Sequence, residues 1–166
     1  MERIIIIGCG GAGKSTLARQ LGEKLDIPVI HLDRLFWRPG WVQVSPEEFD
    51  ELHRAEISKD RWIIDGNFGR TIPERLARCD TVIYLDYPRL VCMKNWIGRV
   101  IKNWGRHRAD MAEGCSEWFD PDMAKWIWNF NKKNRKRYYE LLSTAKDKRI
   151  VILKSRRQAE RFLDSI

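Results

Sequence analysis

One glycine-rich stretch constrains the fold of this chain more than any other feature of its 166 residues. From Gly8 to Ser15 the sequence is Gly-Cys-Gly-Gly-Ala-Gly-Lys-Ser, and four consecutive isoleucines, Ile4–Ile7, come directly before it. A short run of β-branched residues that ends in glycines is typical of a buried strand. After the stretch, leucines recur every four residues through Leu25, which predicts an amphipathic helix. The sequence therefore predicts a strand, a tight glycine loop and a helix in direct succession.

This loop has the spacing of a phosphate-binding site, Gly-x-x-x-x-Gly-Lys-Ser, at every fixed position. Glycines let the backbone wrap so that amide groups point at phosphate oxygens, and the following helix adds the positive end of its dipole. Lys14 is expected to reach the β- and γ-phosphates of ATP, and Ser15 to place its hydroxyl on Mg²⁺. The predicted nucleotide-binding residues are Gly8, Gly10, Gly11, Ala12, Gly13, Lys14, Ser15 and Thr16.

Strand and helix patterns alternate along the rest of the chain, without repeats or linkers. Strands are predicted at 3–7, 28–32, 61–64, 81–85 and 149–153, and helices at 14–25, 45–58, 88–103, 120–143 and from 155 onward. Such alternation favours a parallel sheet covered on both faces. We therefore predict one α/β domain over residues 1–166: a P-loop NTPase three-layer sandwich with strand order 2-3-1-4-5 and a helical lid.

The charge and hydropathy of the chain indicate where the protein is expected to be located and what it is expected to bind. The net charge is +8 and the pI about 9.5, so the protein should attract something anionic, such as a nucleotide, a nucleic acid or a membrane surface. No apolar run approaches the roughly 20 residues that span a bilayer. We expect a cytoplasmic protein with no membrane partner. The oligomeric state leaves no mark on the sequence.

Acidic residues follow three of the predicted strands, at the edge where parallel sheets bind ligands. Asp65 and Asp86 each end an apolar strand and could support Mg²⁺ beside the loop. Asp65 is favoured because strand three should lie next to strand one and because Gly66 lets the backbone pass close to a ligand. Capping of the helix that Pro88 opens is the simpler explanation of Asp86.

The acceptor side is expected in the insertion at 34–60 and around Asp33. Asp33 could hold an acceptor hydroxyl or act as its base, or it could be a solvated carboxylate paired with Arg34. Trp37 could stack on the acceptor or belong to a small aromatic core of the insertion. Arg70 could bind an acceptor phosphate or be a surface arginine.

Two basic stretches lie later in the chain. Segment 99–120 is interrupted by glycines and is predicted to be a lid that closes over the phosphates with Arg99, Arg106 and Arg108, although a solvated basic face is the alternative. The run at 132–137 stands beside aromatic residues and could bind nucleic acid. On a helix these cations mostly point away from the apolar stripe, so a solvated face is favoured.

At these residues the sequence resembles the nucleoside monophosphate kinase superfamily, which includes adenylate kinase. Within it, the chain is most similar to the DNA topology modulation proteins (FlaR-related). The stretches that carry this resemblance are 32–41, 64–67, 105–115 and 152–156. It implies that the Asp65–Thr71 turn serves Mg²⁺-bound water and an acceptor phosphate. Asn95 stands where relatives usually have an arginine that helps to hold adenine, and His107 and Ala109 replace a usual Thr and Pro.

Together these features predict a kinase that transfers the γ-phosphoryl group of ATP to a small, nucleotide-like acceptor. The predicted catalytic residues are Lys14, Asp33, Arg99, Arg106 and Arg108, the acceptor residues are Asp33, Trp37, Asp65 and Arg70, and Ser15 and Asp65 serve Mg²⁺. Two alternatives stay open. One is a nucleotide-switched regulator associated with DNA, and the other is a polynucleotide 5′-kinase.

Overall fold

A computed structural model describes residues 1–166 and contains seven strands and seven helices. The strands are β1 (Arg3–Gly8), β2 (Val29–His31), β3 (Trp37–Arg38), β4 (Val42–Gln43), β5 (Trp62–Asp65), β6 (Thr81–Leu85) and β7 (Arg149–Leu153). The helices are α1 (Lys14–Leu25), α2 (Leu32–Phe36), α3 (Pro46–Ile57), α4 (Ile72–Arg78), α5 (Arg89–Lys102), α6 (Pro121–Thr144) and α7 (Arg156–Asp164).

Five of the strands form one parallel sheet, in the order β2-β5-β1-β6-β7. Counted along the chain without the short β3–β4 pair, this is the predicted order 2-3-1-4-5. The isoleucines of β1 are at most 1% exposed, although alternate side chains point to opposite faces. Both faces of the sheet are therefore covered, and the predicted α/β architecture is confirmed.

Several helices begin where the capping residues in the sequence predicted. Ser45 accepts a hydrogen bond from the Glu48 amide at 3.1 Å, with Pro46 in the first turn of α3. Asp120 and Ser155 cap α6 and α7 in the same way. None of the helices is long and apolar enough to cross a membrane.

Three parts of the chain differ from the prediction: the insertion, the stretch after Asp65 and the predicted lid. The insertion after β2 begins with the short helix α2 and continues as the antiparallel hairpin β3–β4, and α4 follows the Asp65 turn. The stretch predicted as a helical lid, 99–120, is helical only at 99–102, where α5 ends. Residues 103–120, here called the 103–120 segment, contain no helix, and the ends of this segment meet through isolated bridges. Gly105 and Gly114 have positive φ angles of 67° and 75°, a conformation that interrupts helices.

Candidate active site

The glycine loop joins β1 to α1 and takes a conformation that only glycine adopts readily. Gly8, Gly11 and Gly13 have φ angles of 148°, 76° and 88°. At Gly11 a Cβ atom would lie 2.2 Å from the Cys92 carbonyl oxygen, so the backbone of α5 leaves no room for a side chain. Helix α1 begins at Lys14 without a side-chain cap. Its first amide groups are therefore free to bind an anion.

Polar side chains at the ends of β2 and β5 meet the start of α1. The Ser15 hydroxyl donates to Asp65 Oδ2 at 2.7 Å, and the other oxygen, Oδ1, lies 2.5 Å from His31 Nδ1. His31 and Asp65 are register partners in the parallel pair, which places them side by side at the edge of the sheet. Asp65 is only 4% exposed, so its carboxylate is fixed between these two partners. Sequence reasoning missed His31, although its position at a strand end was a usable signal.

A cleft of about 440 Å³ opens in front of this group. It is lined by Gly10, Gly11, Ala12, Gly13, Lys14, Ser15, Thr16, Leu17, Gln20, Asp33, Asp65, Leu85, Tyr87, Asn95, Arg99, Arg108, Asp110, Met123, Arg156, Ala159, Glu160 and Leu163. The glycine loop and the carboxyl ends of the strands thus share one concave surface, as expected for a parallel α/β sheet. A wider depression of about 580 Å³ lies near Gly22 and Arg61, away from this chemistry.

Asp33 lies in the first turn of α2, and its side chain reaches this cleft. Asp33 is an exposed residue that solvent reaches through the cleft. Partial desolvation by the surrounding protein and the nearby charge of Asp65 raise the pKa of Asp33, more strongly than Lys14 and Arg108 lower it. A carboxylate with a raised pKa is a better proton acceptor than a free aspartate.

Two of the three predicted arginines face the cleft, and one acidic residue holds both. Arg99 Nη2 donates to Glu117 Oε1 at 3.0 Å, and Arg108 Nε lies 2.8 Å from Glu117 Oε2. Glu117 is 6% exposed. Burial and the neighbouring Arg108 lower the pKa of Arg99. Arg106 is exposed and does not line the cleft.

Asp110 is a further acidic residue that the sequence analysis did not single out. It belongs to the 103–120 segment, lines the cleft and lies 3.7 Å from Arg108. Burial opposes its charge, yet the neighbouring Arg108 keeps the pKa of Asp110 below its ordinary value. The segment thus brings one carboxylate and one guanidinium group, those of Asp110 and Arg108, to the cleft, and α5 supplies Arg99.

Trp37 and Arg70, both predicted on the acceptor side, lie outside the cleft. Trp37 packs edge-on against Trp41, with ring centroids 5.4 Å apart, and belongs to a small core with the 103–120 segment. Arg70 is exposed and donates to Asp50 Oδ2 at 2.6 Å. The structure brings neither of them to the other predicted site residues.

Asp86 does not line the cleft, and its side chain contacts α6. Its Oδ2 accepts hydrogen bonds from Arg135 and from the Tyr139 hydroxyl, both at 2.8 Å. The residue that caps α5 is Pro88, so the expected capping role of Asp86 is wrong. Asp86 is a buried partner for α6, because a charge taken out of water needs a counter-charge.

The 103–120 segment is docked on the hairpin of the insertion. The Gly40 amide donates to the Gly114 carbonyl at 3.2 Å, and Trp41 Nε1 donates to the Ser116 carbonyl at 3.2 Å. The Cys115 thiol donates to the Arg38 carbonyl at 3.3 Å. The two parts of the chain predicted as acceptor side and lid therefore touch each other.

No model of a protein family matches the chain. Part of it is similar to two curated kinases. It is 34% identical to an adenylate kinase of Cyanothece sp., over 46% of this chain and 49% of the relative. It is 29% identical to a shikimate kinase of Rhodococcus jostii, over 51% of this chain and 58% of the relative. The chain thus spans about half the length of the curated relatives it matches.

Solved structures show the fold over the whole chain. The shikimate kinase from Acinetobacter baumannii, solved in complex with shikimate, superimposes with a TM-score of 0.62 at 16% identity, covering 99% of this chain and 90% of that one. The shikimate kinase from Bacteroides thetaiotaomicron gives 0.57 at 19% identity, covering 99% and 95%. The chain shares the P-loop kinase fold. None of these comparisons tests the resemblance to DNA topology modulation proteins, which stays a prediction.

Proposed function

We propose that the chain is a phosphotransferase of the nucleotide-kinase type, which passes the γ-phosphoryl group of ATP to a small acceptor in the cytoplasm. One observation carries the proposal: the hydrogen-bonded pair of Ser15 and Asp65 lies beside Lys14, at the uncapped start of α1, and faces a cleft. These are the parts that phosphoryl transfer needs, because its catalysis consists of positioning and charge stabilisation.

The oxygen atoms at this site suit Mg²⁺. Magnesium keeps most of its water and binds proteins through one or two oxygen ligands plus substrate phosphates. Ser15 Oγ and Asp65 Oδ2 are such a pair, and no group of three or more His, Cys, Asp or Glu side chains is arranged to hold a metal unaided. When bound, Mg²⁺ would neutralise charge on the phosphate oxygens.

The remaining residues divide between the triphosphate and the acceptor. Lys14 now donates to the Cys9 carbonyl at 3.1 Å, and in the proposed complex it turns to the phosphates. Arg99 and Arg108 oppose the loop and would stabilise charge on the transferred group. Asp33 would accept the proton of the acceptor hydroxyl as its oxygen forms the new P–O bond. The bond from the γ-phosphorus to the bridging oxygen breaks, and ADP leaves.

The size of the cleft supports a small acceptor. A volume of about 440 Å³ falls in the range of small-molecule pockets. The docked hairpin and 103–120 segment favour a closed site over an open groove, which counts against a polynucleotide acceptor. The similarity to adenylate and shikimate kinases makes nucleotides and cyclic alcohols the first acceptors to try.

A coupled ADP-release screen tests the proposal. Purified protein with Mg²⁺ and ATP is offered nucleoside monophosphates, nucleosides and cyclic alcohols, as well as single- and double-stranded DNA. We expect at least one small acceptor to raise ADP release, and Lys14→Ala to abolish that rise while leaving the fold intact. An exposed lysine changed in the same way, Lys136→Ala, should keep wild-type turnover. Unchanged turnover in Lys14→Ala would refute the assignment.

A further inference from the structure

A strained turn follows Asp65 and needs an explanation. Gly66 has a φ angle of 134° and Phe68 one of 29°, which is unusual for a bulky side chain. Backbone strain at a residue such as Phe68 persists only where the surroundings enforce it. At Gly66 a Cβ atom would meet Leu32 Cβ at 2.9 Å, so glycine is required there.

A fully buried arginine enforces this turn. Arg75 in α4 is 0% exposed, and its guanidinium donates to three successive carbonyls: Gly66 at 2.9 Å, Asn67 at 2.6 Å and Phe68 at 3.4 Å. No carboxylate forms a salt bridge with it, which is unusual because a buried charge without a counter-ion is costly.

Arg75 stays protonated in its buried surroundings, and no neighbouring side chain neutralises its charge. Burial lowers the pKa of Arg75 to about 10, so the group is still protonated at neutral pH. His53 is 0% exposed, has no hydrogen-bond partner, and its pKa falls to about 4 because of burial and the charge of Arg75. A neutral histidine cannot balance the arginine. The carbonyl oxygens of the turn are therefore the partners that hold the guanidinium.

Asn67, the middle residue of the turn, forms two hydrogen bonds with the glycine loop. The Gly8 amide donates to Asn67 Oδ1 at 3.1 Å, and Asn67 Nδ2 donates to the Gly8 carbonyl at 2.9 Å. This two-sided contact fixes the first glycine of the loop. On the other side of the turn, the Phe68 ring lies 5.0 Å from Phe36 and 4.9 Å from Phe49, in the insertion. One turn thus joins the glycine loop to the aromatic residues of the insertion.

We propose that Arg75 is a positioning residue that sets the geometry of the ATP site through the 66–68 turn and Asn67. It does not touch the nucleotide; it aims Asp65, which comes directly before the turn, and fixes Gly8 through the Asn67 amide. The inference rests on the proposed function in one respect, namely that the loop binds Mg-ATP.

The test measures nucleotide affinity apart from turnover, with a fluorescent ATP analogue and Mg²⁺, alongside the melting temperature of each variant. Arg75→Met removes the charge and the donors, and should weaken affinity at least about 10-fold. Arg75→Lys keeps the charge but cannot reach three carbonyls, and should fall between it and wild type. Arg78→Met is the matched control on the same helix, because its guanidinium contacts only the Ile57 carbonyl, at 3.4 Å. It should keep wild-type affinity.

Asn67→Leu keeps the proposal testable if Arg75→Met does not fold. It roughly preserves the size of the side chain and adds no charge, but removes both hydrogen bonds to Gly8. We expect about 10-fold weaker Mg-ATP binding by the folded variant. Combined with Arg75→Lys, it should add less than the product of the two single effects, since both act through one turn.

Wild-type affinity in folded Arg75→Met or in folded Asn67→Leu would overturn the inference, because a purely structural role lowers only the melting temperature. If wild-type protein binds Mg-ATP but phosphorylates no acceptor, the proposed phosphoryl transfer is wrong. The affinity measurements then still test whether Arg75 positions the ATP site. If wild-type protein does not bind Mg-ATP, both ideas fall.

Discussion

The two sides of the cleft are held by different kinds of contact. On the donor side, the loop lies between a buried strand and a helix and is closed by local backbone bonds, such as Ala12 to the Cys9 carbonyl at 3.2 Å. On the acceptor side, contacts join residues about half the chain apart, such as Trp41 and Ser116, 75 positions away. The first arrangement follows from a short motif, whereas the second depends on the tertiary fold. Substitutions of charged cleft residues should therefore affect the chemistry, whereas substitutions among the long-range contacts of the 103–120 segment should affect closure.

The largest effect should come from the donor side, at Asp65. Asp65→Asn keeps the shape of the side chain but removes the charge that contacts Ser15 and that would support Mg²⁺ in the proposed complex. We expect kcat/KM to fall about 1,000-fold at low Mg²⁺, comparable to the loss of a group that stabilises transition-state charge. A magnesium titration should recover part of the loss. Exposed Asp60→Asn is the control, and an Asp65→Asn enzyme with normal magnesium dependence would contradict the assignment.

On the acceptor side, Asp33→Asn should reduce turnover about 100-fold, the usual contribution of a general base. Because its pKa is raised, the wild-type carboxyl keeps its proton to higher pH than a free aspartate. The wild-type rate should therefore fall as pH drops through that raised pKa, and the variant should lose this dependence. A pH–rate profile checks the prediction. Persistence of the acidic limb in Asp33→Asn would assign it to another group.

Glu117→Gln should weaken closure of the 103–120 segment. The change leaves Arg99 and Arg108 without the buried carboxylate that both contact, and should lower the free energy of unfolding by about 2 kcal/mol. Urea unfolding measures the loss. Glu140→Gln is the control, because Glu140 forms an exposed ion pair with Lys136, 3.8 Å away. This variant should lose less than about 0.5 kcal/mol of unfolding free energy. Equal losses in the two variants would mean that Glu117 has no special role.

The smallest effect is expected outside the cleft. Lys132 and Lys133 are exposed on α6, and replacing both with glutamine should change turnover less than about 2-fold, since neither lines the site. The same variant tests the alternative of a DNA-associated regulator. Steeply salt-dependent binding of DNA by wild-type protein, lost in this variant, would favour that alternative.

The fold was largely predictable because its signals are local. Four isoleucines, a glycine loop and proline-led helix starts each fix their own segment, and the parallel sheet follows from their order. Short elements were missed: α4 has only seven residues and its main anchor is Arg75, whose partners are carbonyl oxygens that no sequence pattern reveals.

Only some of the site residues could be predicted from the sequence. The loop, Asp65, Asp33, Arg99 and Arg108 meet in one cleft, as expected from strand ends and a basic segment. Arg106, Trp37 and Arg70 do not join them, because residue type alone cannot tell which of several cations or aromatics turns inward. Their partners, such as Asp50 for Arg70, depend on how the insertion packs.

Neighbouring glycines of the loop have different freedom to change over evolutionary time. At Gly11 an added methyl would strike the Cys92 carbonyl, which belongs to the backbone of α5 and cannot yield unless that helix moves. At Gly10 it would meet the Met123 methyl at 2.9 Å, the flexible end of a side chain. Descendants of this sequence should therefore accept alanine at position 10 after a small repacking, while glycine at position 11 stays fixed for as long as α5 keeps its place.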